Sequence, residues 1–273
     1  MQIHWFSPLL PINAPAAVYT AAVVPHLART ASVVLWAEQA IWDPAIEKAA
    51  CVRRYSLTEK IAGVERCSLF GIPWREVNRG DLAVFHLGRE AEYFGGIWRL
   101  FHMHSGIVVL HDARIHELFL GTPRPIHCED RDFVAECERI YGQTGRLAAE
   151  IFRGGLCSPE RMAKAFPLLD PILEAAYGVL VHDGELARAL AQRRGPPVAY
   201  TPSPLEKVGN PDEYLRAFFH LAASAHARFA ASSIMADRMA GAIKPLAKDR
   251  IQEAAIDRAS RAIASLLNRP VKV

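Results

Sequence analysis

The sequence predicts an α/β fold: an open parallel sheet with helices on both faces, followed by a C-terminal helical pair. Three observations predict it. Short apolar runs recur through the first 200 residues, and most lack the period-2 alternation of a half-exposed strand, as expected where both faces of a parallel sheet are covered. Segments of helical periodicity lie between the runs, the alternation that builds right-handed βαβ units. Beyond Asn210 the strand signals stop and only helical patterns remain. The expected arrangement is Rossmann-like.

The runs that read as strands are Gln2–Phe6, Val33–Trp36, Leu82–Phe85, Ile107–Leu110, Gly178–Val181 and Pro197–Tyr200. The irregular stretch 38–80 adds Cys51–Tyr55 and Cys67–Phe70. Helices are expected over 16–29, 91–103, 113–120, 130–152, 159–176 and 184–194. Ser158-Pro159-Glu160 marks one helix start, a capping serine followed by proline at the first helical position. Asn210-Pro211-Asp212-Glu213 marks another, with Glu at the capping-box position. From there a helix is expected over 211–240, and a second over 246–268 beyond Pro245. The division is therefore residues 1–204 as the α/β domain and 205–273 as helices packing on it.

Composition narrows the class. The chain of 273 residues is 51% hydrophobic and 22% charged, which excludes a disordered chain. No stretch has the 18 or so apolar residues that span a bilayer, and the N-terminal residues lack the marks of a signal peptide. The five cysteines form no CxxC pair, which reads as reduced thiols in the cytoplasm. The net charge of +3 is carried by the tail: residues 241–273 hold +4 and the remainder −1. That is too little for a nucleic-acid footprint. The tail reads as a solvated helix face, with peripheral contact to an anionic membrane as the alternative.

Open α/β sheets bind ligands beyond the carboxyl ends of their strands. Three predicted strands run into histidine there: His86, His111 and His182. The last two continue into Asp112 and Asp183, where a following helix takes its N-cap. His182-Asp183 reads as a local hydrogen bond and a cap, while at His111-Asp112 position alone leaves that reading and a functional one both open. The first strand-to-helix loop, 7–17, contains Ser7 and Asn13 and has the place of a phosphate-cradling loop, yet it has no glycine. The dinucleotide, P-loop and serine-hydrolase motifs are all absent. His102, His104, His111, His116 and His127-Cys128 show no familiar metal-ligand spacing, so neither metal nor cofactor is expected.

Taken together, Phe6–Pro11, Val24-Pro25-His26-Leu27-Ala28, the segment from Leu82 to Arg89, the segment from Gly106 to Asp112 and the segment from Tyr177 to Asp183 resemble a family. It is the N-terminal, acceptor-side domain of retaining GT-B glycosyltransferases that use nucleotide-sugar donors. The resemblance covers about residues 1–200, chiefly through 82–112, and the terminal helices resemble the segment that braces that domain. It implies that His111 contacts the transferred sugar and that Asp112 orients it or caps its helix. His86-Leu87-Gly88-Arg89 matches the family's turn, with Arg89 in the usual Asn place. Loop 7–17 matches the loop that approaches the donor diphosphate, with Ala14, Ala16 and Ala17 where glycine is expected. The implied substrate-binding residues are Ser7, Asn13, His86, Gly88, Arg89 and His182.

The family's donor-binding domain carries two glutamates eight positions apart, and no two glutamates here have that spacing. Segment 197–211 has no room for that domain. The expectation is a glycosyltransferase-family protein that keeps the acceptor-side half, with a homo-oligomer or partner protein completing the cleft. The ligands would be a nucleotide-sugar donor and a glycan or lipid-linked acceptor. A non-catalytic interaction or regulatory module on the same fold is the alternative. An unrelated α/β enzyme using the histidines for acid–base work is the third reading.

Overall fold

The computed structural model describes residues 1–61, 64–67, 71–121, 133–193, 195–203 and 214–225. The strands are β1 (Gln2–Phe6), β2 (Ser32–Ala37), β3 (Cys51–Arg54), β4 (Thr58–Ile61), β5 (Val64–Cys67), β6 (Leu82–Leu87), β7 (Ile107–Leu110), β8 (Gly178–Val181) and β9 (Val198–Tyr200). The helices are α1 (Pro15–Leu27), α2 (Trp74–Val77), α3 (Ala91–Met103), α4 (His116–Gly121), α5 (Phe133–Arg153), α6 (Pro159–Ala165), α7 (Asp170–Ala175), α8 (Gly184–Ala191) and α9 (214–225). A short 3-10 turn spans Pro44–Lys48.

Seven strands form one parallel sheet in the order β3-β2-β1-β6-β7-β8-β9. This is an open Rossmann-like sheet, and its order reverses between β1 and β6. Strands β4 and β5 pair with each other as an antiparallel hairpin. One sheet face presents Phe6, Trp36, Phe85, Val108 and Val179 to helices α3 through α8. The other presents Trp5, Leu35, Val84, Val109 and Leu180 to Tyr19, Val23 and Leu27 of α1 and to Phe218 and Leu221 of α9. Two covered faces explain why the strands read as continuous apolar runs. Each large side chain so buried contributes roughly 1.5–3 kcal/mol.

The elements depart from expectation at definable points. Strand β6 runs two residues past Phe85, so His86 lies inside the strand and not after it. The stretch 159–176 is two helices. Ser158 caps the first by accepting from the Arg161 N–H at 3.3 Å. Pro167 and Pro171 then interrupt the backbone donors. Helix α4 starts at His116, not 113, because Asp112 holds the Arg114 N–H in a local turn at 2.8 Å. The span 130–152 holds a kink at Gly142, whose φ of 65° lies in the left-handed region that favours glycine. The β4–β5 hairpin was not foreseen, and of the run Cys67–Phe70 only Cys67 is described. Of the helix over 211–240, residues 214–225 are helical, and the rest lies outside the described residues, as do Asn210-Pro211 and the helix over 246–268. Among the described residues no helix is long and apolar enough to cross a membrane.

Candidate functional site

The sheet's own period places three histidines together. His86 of β6 is in register with Val109 of β7, and Val109 with Leu180 of β8. Side chains alternate along a strand, so His111 and His182, each two residues further on, share the face of Val109 and Leu180. The ladder continues past the strand ends: the His111 N–H donates to the Leu87 carbonyl at 2.8 Å, and the Thr201 N–H to the Val181 carbonyl at 3.2 Å. All three rings thus sit toward the carboxyl edge, on the face covered by α1 and α9. His86 is one level deeper and fully buried, and His111 and His182 are half-buried. Strand β6 borders the point where the strand order reverses, the place where open α/β sheets hold ligands.

His86 Nδ1 and His111 Nε2 are 2.8 Å apart. The His111 and His182 rings are 5.8 Å apart. Tyr19 of α1 packs against all three, with ring separations of 5.5, 5.0 and 4.9 Å to His86, His111 and His182. Tyr214, at the start of α9, meets Tyr19 edge-on at 5.6 Å. Trp5 lies 4.5 Å beneath His86. His182 Nδ1 is 2.9 Å from the Thr201 carbonyl, which only accepts, so His182 carries its proton on Nδ1.

Burial sets the charge of this cluster. It pushes the His111 pKa down to about 3, and the neighbouring His182 adds to the shift. It holds His86 well below the usual histidine value, reinforced by His111 and His182. Both rings are neutral at pH 7. Burial also pushes the Tyr19 phenol well up, with Tyr214 adding to it. The two phenols interact, yet neither hydroxyl meets hydrogen-bond geometry with a described group. His86 Nε2 is likewise sealed without a hydrogen-bond partner among the described residues.

The other expected site residues separate from this cluster in what they do. Asp112 accepts from Arg114 through its backbone N–H at 2.8 Å and its guanidinium at 2.9 and 2.7 Å. Burial works to raise the Asp112 pKa, but the bonds and charge of Arg114 outweigh it and hold the carboxyl below the usual range. Arg89 reaches Glu90 at 3.2 Å and Glu117 at 3.7 Å. Gly88 is buried, and a Cβ there would stand 2.5 Å from the Phe94 ring. Ser7 is buried in an internal chain: Trp5 Nε1 donates to Thr20 Oγ1 at 3.1 Å, Thr20 to Ser7 Oγ at 2.8 Å, and Ser7 to the Pro8 and Ala16 carbonyls at 2.9 and 3.3 Å. Asn13 is exposed on the loop, while Ala14, Ala16 and Ala17 are buried. Asp183 caps α8 by accepting from the Leu186 N–H at 2.9 Å.

Sequence reading missed Tyr19 and Tyr214. Their signal was helical spacing: Tyr19 shares a face with Val23, and Tyr214 with Phe218. Among the described residues no group of three His, Cys, Asp or Glu side chains is arranged to hold a metal ion; His127 and Cys128 lie outside them. An apolar cavity of about 160 Å³ between α1 and the 3-10 turn, lined by Leu9, Leu10, Ala21, Pro25 and Ile46, shares no residue with the cluster.

Comparison with known protein families finds no matching model, and comparison with curated proteins finds no match. The chain is a Rossmann-like α/β protein with a neutral histidine–tyrosine cluster at the carboxyl edge of its sheet.

Proposed function

We propose that this chain is the acceptor-side half of a nucleotide-sugar-dependent glycosyltransferase, in which His111 meets the transferred sugar and a partner supplies the donor site. The observation that carries the reading is His111 itself: a half-buried, neutral imidazole at the carboxyl end of β7, anchored at 2.8 Å to a fully buried His86. A neutral ring in that place exchanges hydrogen bonds with hydroxyls, the groups a sugar presents. The resemblance of 82–112 to the glycosyltransferase acceptor domain points the same way.

The partner is invoked for electrostatic reasons. A diphosphate leaving group needs positive charge or aimed donors in the transition state. Arg89 and Arg114, which flank His111 in sequence, are already matched to carboxylates: Arg89 to Glu90 and Glu117, Arg114 to Asp112 and Glu160. Their charge is committed, so neutralisation of the diphosphate falls to residues of the partner.

Calorimetry of the purified chain with oligosaccharides and with uridine, guanosine and adenosine diphosphates tests this. The expected result is glycan binding weakened about tenfold or more in His111→Ala, the loss of one hydrogen bond, with no diphosphate binding. A chain that binds no glycan at millimolar concentration overturns the reading. One that binds a nucleoside diphosphate unaided overturns the need for a partner.

A second reading, a non-catalytic interaction module, is favoured by one observation. Leu147, Ile151 and Leu156 are 59%, 39% and 81% exposed along and just after α5. It predicts self-association or protein binding that substitution of these residues by serine abolishes, without any glycan affinity.

A further inference from the structure

The neutral His86–His111 pair shares one hydrogen bond, and one ring must donate while the other accepts. Two arrangements satisfy that bond. In the first, His111 donates from Nε2, and His86 then carries its own proton on Nε2. In the second, His86 donates from Nδ1, its Nε2 is a bare lone pair, and His111 carries its proton on Nδ1.

The surroundings of His86 Nε2 decide between them. That atom is sealed from solvent with no hydrogen-bond partner among the described residues. The first arrangement would bury an N–H with no described group to accept it, and orphaned buried N–H groups are rare in folded proteins. A bare lone pair at that atom leaves no donor unpaired, and under-satisfied acceptors are tolerated more often than orphaned donors. Both rings are uncharged at pH 7 because burial holds their pKa values down.

We infer that His86 is a positioning residue that holds His111 in its Nδ1–H tautomer, so that the ring offers a hydrogen-bond donor, not a base, at the carboxyl edge. Nε2 of His111 is spent on His86, and Nδ1 is the nitrogen left to face a ligand. The group recognised there presents an oxygen lone pair. The tautomer follows from the His86 contact and the sealed surroundings of His86 Nε2. Only the identification of that oxygen as a sugar hydroxyl rests on the glycosyl-transfer reading. His111 then contributes orientation and polarisation, and it removes no proton from its ligand.

Long-range ¹H–¹⁵N correlation spectra of the full ¹⁵N-labelled chain at pH 7 read the tautomer directly, with the His111 ring assigned by its loss in His111→Gln. The expected pattern is a protonated Nδ1 and a bare Nε2 at His111, and the same pattern at His86. An Nε2–H or doubly protonated His111 overturns the inference. In His86→Phe the Nε2–H form of His111 is expected to gain population, since nothing then donates to that nitrogen. An unchanged Nδ1–H form in that variant overturns the positioning role. Should His86→Phe not fold, the wild-type spectrum still decides the tautomer. No ligand enters the measurement, so a chain that shows Nδ1–H and binds no glycan sinks the glycosyl-transfer reading while this inference stands.

Discussion

His86 Nδ1 and His111 Nε2 stand 2.8 Å apart although His86 lies within β6 and His111 just past the end of the adjacent β7, at a different level of the sheet. His86 belongs to the core and His111 is half-buried at the carboxyl edge, so one hydrogen bond couples a fully buried ring to the edge of the sheet. The two positions are expected to respond differently to substitution.

Truncation should separate them in stability. His86 is fully buried against Trp5 and Tyr19, so His86→Ala leaves a cavity and is expected to cost roughly 2–4 kcal/mol. His111→Ala opens a half-buried position and is expected to cost less, about 1–2 kcal/mol. Urea denaturation of both variants checks the order, and equal losses would contradict the depth assigned to His86.

Stability should fall on acidification. The folded-state pKa of His111 is depressed to about 3, below the unfolded value of about 6.5. Between those values the unfolded chain binds the extra proton, so the contribution is full above pH 6.5 and is lost progressively as pH falls toward 3. The slope approaches about 1.4 kcal/mol per pH unit per histidine. His86, His4, His104 and His116 are also held neutral by burial and act in the same direction. Urea midpoints from pH 7.5 to 4.5 should fall for the wild type and fall less steeply for His111→Gln.

Gly88 is required by contact and not by backbone conformation. An added Cβ would stand 2.5 Å from the Phe94 ring, so Gly88→Ala should destabilise by about 1–3 kcal/mol. The double variant Gly88→Ala/Phe94→Leu should recover part of that loss relative to the sum of the single variants. Strict additivity in thermal unfolding would show that Phe94 is not the obstacle.

The Asp112–Arg114 clasp can be read by titration. Arg114→Ala removes the bonds and the charge that outweigh burial, so the Asp112 pKa should rise. Carboxyl NMR shifts across pH 2–6 follow it. A value unmoved by the substitution would assign the depression to another group.

The tyrosine hydroxyls should be dispensable for folding, and the rings should not. Tyr214 is buried with its hydroxyl outside hydrogen-bond geometry, so Tyr214→Phe is expected to be neutral or stabilising by up to about 1 kcal/mol. Tyr214→Ala removes the ring that covers Tyr19 and should cost about 3–5 kcal/mol. A marked loss in Tyr214→Phe would reveal a hydrogen bond to that hydroxyl.

Sequence reading reached the strands with the most local determinants. Ile107–Leu110 and Gly178–Val181 carry uninterrupted apolar runs, and they form as expected because both sheet faces are covered. The hairpin β4–β5 was not legible, since Thr58–Ile61 and Val64–Cys67 mix charge with apolar residues and show no turn dipeptide. The single helix expected over 159–176 failed for a readable reason, the prolines at 167 and 171.

By itself the sequence determined that a histidine stands near the carboxyl end of three strands, because strand ends are marked roughly by where the apolar run stops. It could not decide which of them touch. Strand order is non-local: β6 packs beside β1 and β7 beside β6 only once the sheet is assembled. Register then puts His86 one level below His111 and His182, and the alternation of side chains turns all three to the same face. Tyr19 and Tyr214, almost 200 residues apart in the chain, meet over that face because α1 and α9 cover it together. Chemistry-bearing residues were visible one at a time. Their conversion into a desolvated, neutral, hydrogen-bonded group belongs to the tertiary structure, since burial and long-range contact are properties no single segment possesses.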